Sequence, residues 1–193
     1  MKKILKFCFM ALIFITVLPF GLIARWCHRL FNLTFAFDFF AQAYSLTPGF
    51  FGPACRVCFY MLTLEQCHWD VFFGFGSFIS KINTRIGKGV LINGHTTVGL
   101  ADIGDGVVIA NYVSVLSGGQ QHNFDDPESG ILSREGTYTR VKIGNDTFVG
   151  DQSVVMTDIG EKCIVGAGSI VIKPIPAYSI AVGNPCKVVR SRK

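Results

Sequence analysis

The chain has 193 residues, half of them apolar, 13% aromatic and 16% charged, with a formal net charge of +5 and a mean hydropathy of +0.42. That composition excludes intrinsic disorder and argues against a freely soluble globule, and the length suits one compact domain. The charge excess excludes nucleic acid once it is located: residues 1–60 hold six cations (Lys2, Lys3, Lys6, Arg25, Arg29, Arg56) against Asp38, residues 61–193 hold twelve of each sign, and no basic stripe with interleaved aromatics follows.

Phe7 to Ala24 (FCFMALIFITVLPFGLIA) is an uncharged run of 18 residues, flanked by Lys2, Lys3 and Lys6 on one side and by Arg25, His28 and Arg29 on the other. It is long enough to cross a bilayer and lacks the small-x-small site of a cleaved signal peptide. Pro19 and Gly21, with cations on both flanks, leave a clean crossing and a re-entrant helix both open. Leu30 to Tyr44 (LFNLTFAFDFFAQAY) reads as an interfacial or second embedded helix. Thr47-Pro48-Gly49 and then Gly52-Pro53 break the chain ahead of a short helix over residues 55–64. The seven cysteines (8, 27, 55, 58, 67, 163, 186) are odd in number and scattered, so they read as reduced thiols packed as small hydrophobes. Cys55-Arg-Val-Cys58 with Cys67-His68 approaches a metal set but lacks a second CxxC or a histidine pair, and no metal is expected.

From about Val71 the helical period gives way to a beat of six, an aliphatic residue often followed by glycine: Ile86, Ile92, Val98, Ile103, Ile109 and Val115, then Ile143, Val149, Val155, Ile159, Val165 and Val171. A hexapeptide period means a parallel β-helix, whose aliphatic side chains point into a narrow prism while the small residue sits at the turn. At three hexapeptides per coil, four to five coils are expected. Val115 and Ile143 are separated by 28 positions where the beat allows six, so about 22 residues are extruded as a loop within residues 117–140. Long excursions from compact repeats are usually functional. The expected organisation is a membrane-associated helical segment over residues 1–70 and a β-helix over residues 71–193 with a C-terminal tail.

Five stretches, in order, carry a resemblance: Ile103-Gly-Asp-Gly-Val-Val-Ile-Ala-Asn, the loop with His122, Ile143-Gly-Asn-Asp-Thr-Phe-Val-Gly, Val165-Gly-Ala-Gly-Ser-Ile-Val-Ile-Lys, and Ala181-Val-Gly-Asn-Pro-Cys-Lys-Val-Val-Arg. Together they resemble the hexapeptide-repeat acyltransferase family, which includes galactoside, maltose, serine and polysaccharide O-acetyltransferases. The lead-in from Pro48-Gly-Phe-Phe-Gly to Phe73-Gly-Phe-Gly is similar to members from surface-polysaccharide gene sets. The resemblance implies a left-handed parallel β-helix, a homotrimer, and acetyl transfer from acetyl-CoA to a sugar hydroxyl. Two positions depart from the pattern: Phe148 stands where tryptophan is common, and Asp151 where a small residue is common.

Acyl transfer to a hydroxyl needs a base that titrates near neutral pH, for which histidine is suited. Of His28, His68, His95 and His122, the last occupies the family's catalytic position, and His95 is the second candidate. Asn93 lies close to where galactoside relatives carry an acceptor-positioning asparagine; Asp125 and Asp126 are candidates to orient the imidazole or bind a sugar hydroxyl. The resemblance places acetyl-CoA beside Gly150, Asp151, Ala167 and Ile172, with Lys173 and Arg190 suited to its phosphates. No nucleotide phosphate loop occurs. The apolar N-terminal segment adds the expectation of a glycan or lipid-linked sugar acceptor at the cytoplasmic face of the inner membrane. N-acetylation of an amino sugar and a non-catalytic scaffold are the alternatives. A γ-type carbonic anhydrase would need three metal-binding histidines where the repeat offers two at the wrong spacing, and a sugar nucleotidyltransferase would need a nucleotide domain for which the chain has no room.

Overall fold

The computed structural model describes residues 2–121 and 136–193, with side chains from residue 9 onward. His122, Asp125 and Asp126 therefore lie outside the described residues.

Three helices open the chain: α1 (Lys2–Phe31), α2 (Phe35–Ser45) and α3 (Phe51–Thr63). Asn32, at φ 53°, ends α1 in the left-handed region, where its own N–H reaches the His28 carbonyl and that of Leu33 reaches Cys27, closing the last turn. The break expected at Gly52-Pro53 does not occur. Pro53 falls in the first turn of α3, where a missing N–H leaves no helical bond unmade, and the helix runs through it.

The remaining chain coils. The first coil is β1 (Gln66–Cys67), β2 (Phe72–Phe73) and β3 (Phe78–Ile79); the second β4 (Arg85–Ile86), β5 (Leu91–Ile92) and β6 (Thr97–Val98); the third β7 (Ala101–Ile103), β8 (Val108–Ile109) and β9 (Ser114–Val115). After the excursion come β10 (Val141–Ile143), β11 (Phe148–Val149) and β12 (Val154–Val155), then β13 (Ile164–Val165) and β14 (Ile170–Val171). Last come β15 (Ser179–Val182) and β16 (Lys187–Ser191). Strands stack in parallel as three flat faces, β1-β4-β7-β10, β2-β5-β8-β11-β13-β15 and β3-β6-β9-β12-β14, which makes a parallel β-helix of about five coils. Isolated bridges at Ile159 and Ile175 extend the first face.

The register shows why the aliphatic beat works. Phe73, Ile92, Ile109, Val149, Val165 and Ala181 are stacked partners, all buried in the prism core. The short spacings, Val98 to Ile103 and Val155 to Ile159, tighten the turns so that successive coils remain in register despite lengths of 17 and 16 residues. The turns are lined by hydroxyls: Thr84 Oγ1 donates to Gly99 O (2.7 Å), Thr96 Oγ1 to Ala110 O (2.7 Å) and Thr147 Oγ1 to Gly160 O (2.8 Å), satisfying carbonyls of the next coil.

A prism of parallel coils has two ends with unpaired backbone groups, and here one is covered by helices while the other is extended on its second face by an exposed strand. At the first, α3 lies across the edge. Fully buried Arg56 donates from Nε to Phe73 O (3.0 Å) and from Nη1 to the carbonyls of Tyr44, Ser45 and Thr47; buried Tyr60 accepts the Ile79 N–H (2.9 Å); Ser45 O accepts the Gly76 N–H (2.8 Å). At the other, β16 pairs antiparallel with β15. α1 packs on the outside of α3 through Ile13, Val17, Gly21 and Ala24, a stripe at helical period, where a Cβ on Gly21 would stand 2.7 Å from Leu62 Cδ1.

Candidate active site

Each coil turns three corners, and the expected site residues fall at two of them. The corner between the second and third faces carries Asn93, His95, Gly150, Asp151 and Ala167. Gly150 stacks directly on the next coil: a Cβ there would stand 2.5 Å from Ala167 N and 2.9 Å from Ala167 Cα, so the backbone can approach only because the position is glycine. Asp151 belongs to a ladder of turn acceptors. Its Oδ1 receives the Asn111 N–H (2.8 Å) and Asn111 Nδ2 (2.9 Å), while Asn111 Oδ1 receives the Gly94 N–H (3.1 Å). The Asn111 side-chain amide, then its backbone N–H, hold the Asp151 carboxyl below the usual carboxylate range. The departure from a small residue at this position thus has a structural use, tying the third coil to the fourth across the excursion.

Asn93 Nδ2 donates to Ile109 O (3.0 Å), leaving its oxygen as an acceptor at the corner. Beside it, Phe75, His95 and Tyr112 occupy successive turns. The His95 ring lies flat on Tyr112 (centroids 5.0 Å, 8°) and edge-on to Phe75 (5.7 Å, 82°), and all three are exposed. His95 and Tyr112 both sit at φ 57°. This column was not anticipated from sequence; its only signal is that the turns Gly94-His95 and Asn111-Tyr112 repeat one coil apart.

The corner between the third face and the first is where the excursion leaves and returns. Its two roots are stitched together: the Thr139 N–H donates to Ser117 O and the Thr137 N–H to Gln120 O, both at 2.8 Å, while Ser117 Oγ receives the Leu100 N–H (2.8 Å). Arg140, at the returning root, pairs with Asp102 (2.6 Å) and Glu65 (2.9 Å), and Arg85 pairs with Glu65 and approaches Asp102 (3.8 Å), giving a network of alternating charge. A pocket of about 490 Å³ opens at these roots, lined by Gly118, Gly119, Gln120, Arg140, Met156 and Ile172 among others. Ile172 is half exposed on its wall, and Lys173 follows at the same corner. Arg190 stands apart from both, on β16 opposite Ile180. Within one chain, the residues expected beside the acyl donor are thus divided between two corners and the terminal strand.

Among the described residues no group of three or more histidine, cysteine or acidic side chains could hold a metal. The six described cysteines are free. Burial pushes the Cys58 thiol up to about 11 and the Cys67 thiol up to about 12, which makes both inert. His68 is engaged by Asp70, away from either corner.

No family model matches the chain. It is 34% identical over 110 residues, 56% of its length, to a probable acetyltransferase of Mycobacterium tuberculosis, and 33% identical over 126 residues, 62% of its length, to the galactoside O-acetyltransferase of Escherichia coli. It spans 35% and 57% of those two proteins. Its fold is similar to that of a hexapeptide-repeat acetyltransferase of Vibrio cholerae solved with acetyl coenzyme A (TM-score 0.70, 20% identity, 81% of this chain and 85% of that one).

Proposed function

The chain belongs to the hexapeptide-repeat acyltransferase family, and from that premise we propose that it transfers an acetyl group from acetyl-CoA to a sugar hydroxyl of a polysaccharide, oligosaccharide or lipid-linked glycan. The observation that carries this reading is the pocket at the roots of the excursion, with Ile172 on its wall and with Gln120 and Arg140, which flank the segment containing His122 in sequence, in its lining.

In this reading the His122 imidazole accepts the hydroxyl proton as the sugar oxygen attacks the thioester carbonyl. The tetrahedral intermediate then expels the coenzyme A sulfur, which recovers the proton from the imidazolium. Gly150, Asp151, Ala167, Ile172 and Lys173 lie along the donor, and Arg190 serves its phosphates. Because one chain divides these residues between separate corners, a complete donor cleft calls for two chains side by side, as in a homotrimer with three shared sites. Asn93, with Asp125 or Asp126, orients the acceptor, and the exposed rings of Phe75, His95 and Tyr112 beside the Asn93 amide pair a flat apolar surface with a hydrogen-bonding group, which suits a sugar ring.

Among the described residues one helix, over Phe9–Phe31, is long and apolar enough to cross a membrane. The reading adds membrane attachment at the cytoplasmic face, which brings the site to a lipid-linked or growing glycan. The decisive experiment is coenzyme A release against candidate glycans. His122→Ala should lower turnover by about 10² to 10⁴ and leave acetyl-CoA affinity nearly unchanged. The same loss from His95→Ala, with His122→Ala active, would reassign the base.

A further inference from the structure

The outer flank of α1 is apolar and uncovered: Leu12, Ile15, Ile23, Trp26 and Leu30 are 46% to 69% exposed, opposite the stripe that packs on α3. α1 follows α3 along its whole length, from the Phe9 ring against Phe50 and Phe51 (5.5 and 5.6 Å) to Arg25 Nη1 on the Leu62 carbonyl (2.9 Å). The exposed flank therefore forms the outer surface of the helical layer that closes the β-helix.

Where this flank ends, a pocket of about 400 Å³ opens between α1 and the first coils, lined by Arg25, His28, Arg29, Thr63, Glu65 and Asn83 among others. Three of these six are basic. Glu65, the one acid in the lining, is already paired with Arg85 and Arg140 on its far side. Arg29 makes no ion pair among the described residues, and Arg25 makes a single hydrogen bond, to a carbonyl. His28 Nδ1 is buried without a hydrogen-bond partner. Cations on the last turn of a helix complement its dipole, which accounts for their sign. It does not account for a cavity between them, or for a buried ring nitrogen without a partner beside that cavity, since buried polar atoms in native structures are almost always satisfied. A ligand with several anionic oxygens supplies what is missing.

We propose that Arg25, His28 and Arg29 form a binding site for the phosphate of an anionic membrane phospholipid, with its acyl chains lying on the exposed apolar flank of α1 beside Trp26 and Leu30. The lipid is favoured over a soluble phosphate because the cationic pocket and the apolar flank are continuous, and an aromatic residue at their junction is the arrangement of a membrane interface. The inference shares the membrane attachment proposed above and is independent of acetyl transfer.

The test reads binding alone. Full-length protein in neutral detergent micelles is titrated with dioleoylphosphatidylglycerol, with dioleoylphosphatidylcholine and with inorganic phosphate, and affinity is taken from the rise in unfolding temperature. Phosphatidylglycerol should stabilise the protein at concentrations where the other two do not. Arg29→Gln should weaken that binding about fivefold, near the worth of one basic residue at an anionic membrane surface. Arg29→Gln with His28→Gln should weaken it further, Arg29→Lys should retain most of it, and the distant Lys88→Gln should leave it unchanged. Equal effects of the two lipids, an equal effect of inorganic phosphate, or wild-type affinity in the Arg29→Gln protein would overturn the assignment.

Discussion

Replacing Arg56 by methionine, which keeps the bulk of the side chain and removes its donors, tests how the helical layer is held to the β-helix. Arg56 is 1% exposed and bonds to four carbonyls, with no carboxylate among its partners. Two of those carbonyls keep a backbone donor when it is gone: Tyr44 O accepts from the Thr47 N–H (3.2 Å) and Ser45 O from the Gly76 N–H (2.8 Å). The carbonyls of Phe73, at the open edge of the first coil, and of Thr47 depend on Arg56. Leaving one buried and one part-buried acceptor unpaired costs up to about 2–6 kcal/mol. Burial disfavours the guanidinium charge, so its removal recovers part of that sum. The net expectation is a loss of about 2–4 kcal/mol, a large share of a typical stability of about 5–15 kcal/mol. Urea unfolding in neutral detergent, followed by intrinsic fluorescence, measures it. Arg56→Lys should be nearly as damaging, because a single ammonium cannot span carbonyls on both α2 and β2. A methionine variant within 1 kcal/mol of the wild type would refute the view that these bonds hold the layer in place.

Gly150→Ala should cost about 1–3 kcal/mol in the same assay, through overpacking against the Ala167 backbone. Gly89→Ala, at φ +63° with nothing within 4 Å of its Cβ, should cost only the backbone strain of about 1–2 kcal/mol, so a Gly89 penalty larger than the Gly150 one would contradict the packing argument. Hydrogen bonds from Arg140 and Arg85 hold the Glu65 carboxyl below its ordinary value, so its contribution to stability is present above the unfolded-state value near 4.5 and is lost as pH falls through the lower folded-state one. The Glu65→Gln protein should therefore lose less stability than the wild type between pH 6 and pH 3, as read from urea midpoints; parallel losses would remove Glu65 from the network's role.

The prism was legible because its determinant is local and repeated: an inward aliphatic residue every sixth position leaves a trace whatever surrounds it. Even the irregular steps at Ile103 and Ile159 were visible, and they are the adjustments that set coil length. The first coil was harder to read. Its inward residues are Cys67, Phe73 and Ile79, and only the last fits the aliphatic beat, so β1 begins ahead of the point where the pattern becomes audible. The Gly52-Pro53 pair reads as a break when its helical context is unknown, because proline in a first turn and proline in an interior are spelled alike. Buried Arg56 could not be placed at all, since its partners are carbonyls, which every residue carries. The position of the extruded loop was countable from the beat, whereas the ring column of Phe75, His95 and Tyr112 depends on which turn residues adopt positive φ, and that is set by the three-dimensional stacking.

The two closures of the β-helix, a helical layer at one end and an antiparallel strand at the other, have a consequence for how this protein can vary. Neither closure touches the middle coils, so a whole turn of 16 to 19 residues inserted or removed there would keep every corner in line and alter only the height of the tower. The ends cannot change so freely: a lost lid would turn the outermost coil into a template for another chain, and a machine of fixed length would become the first rung of a fibre.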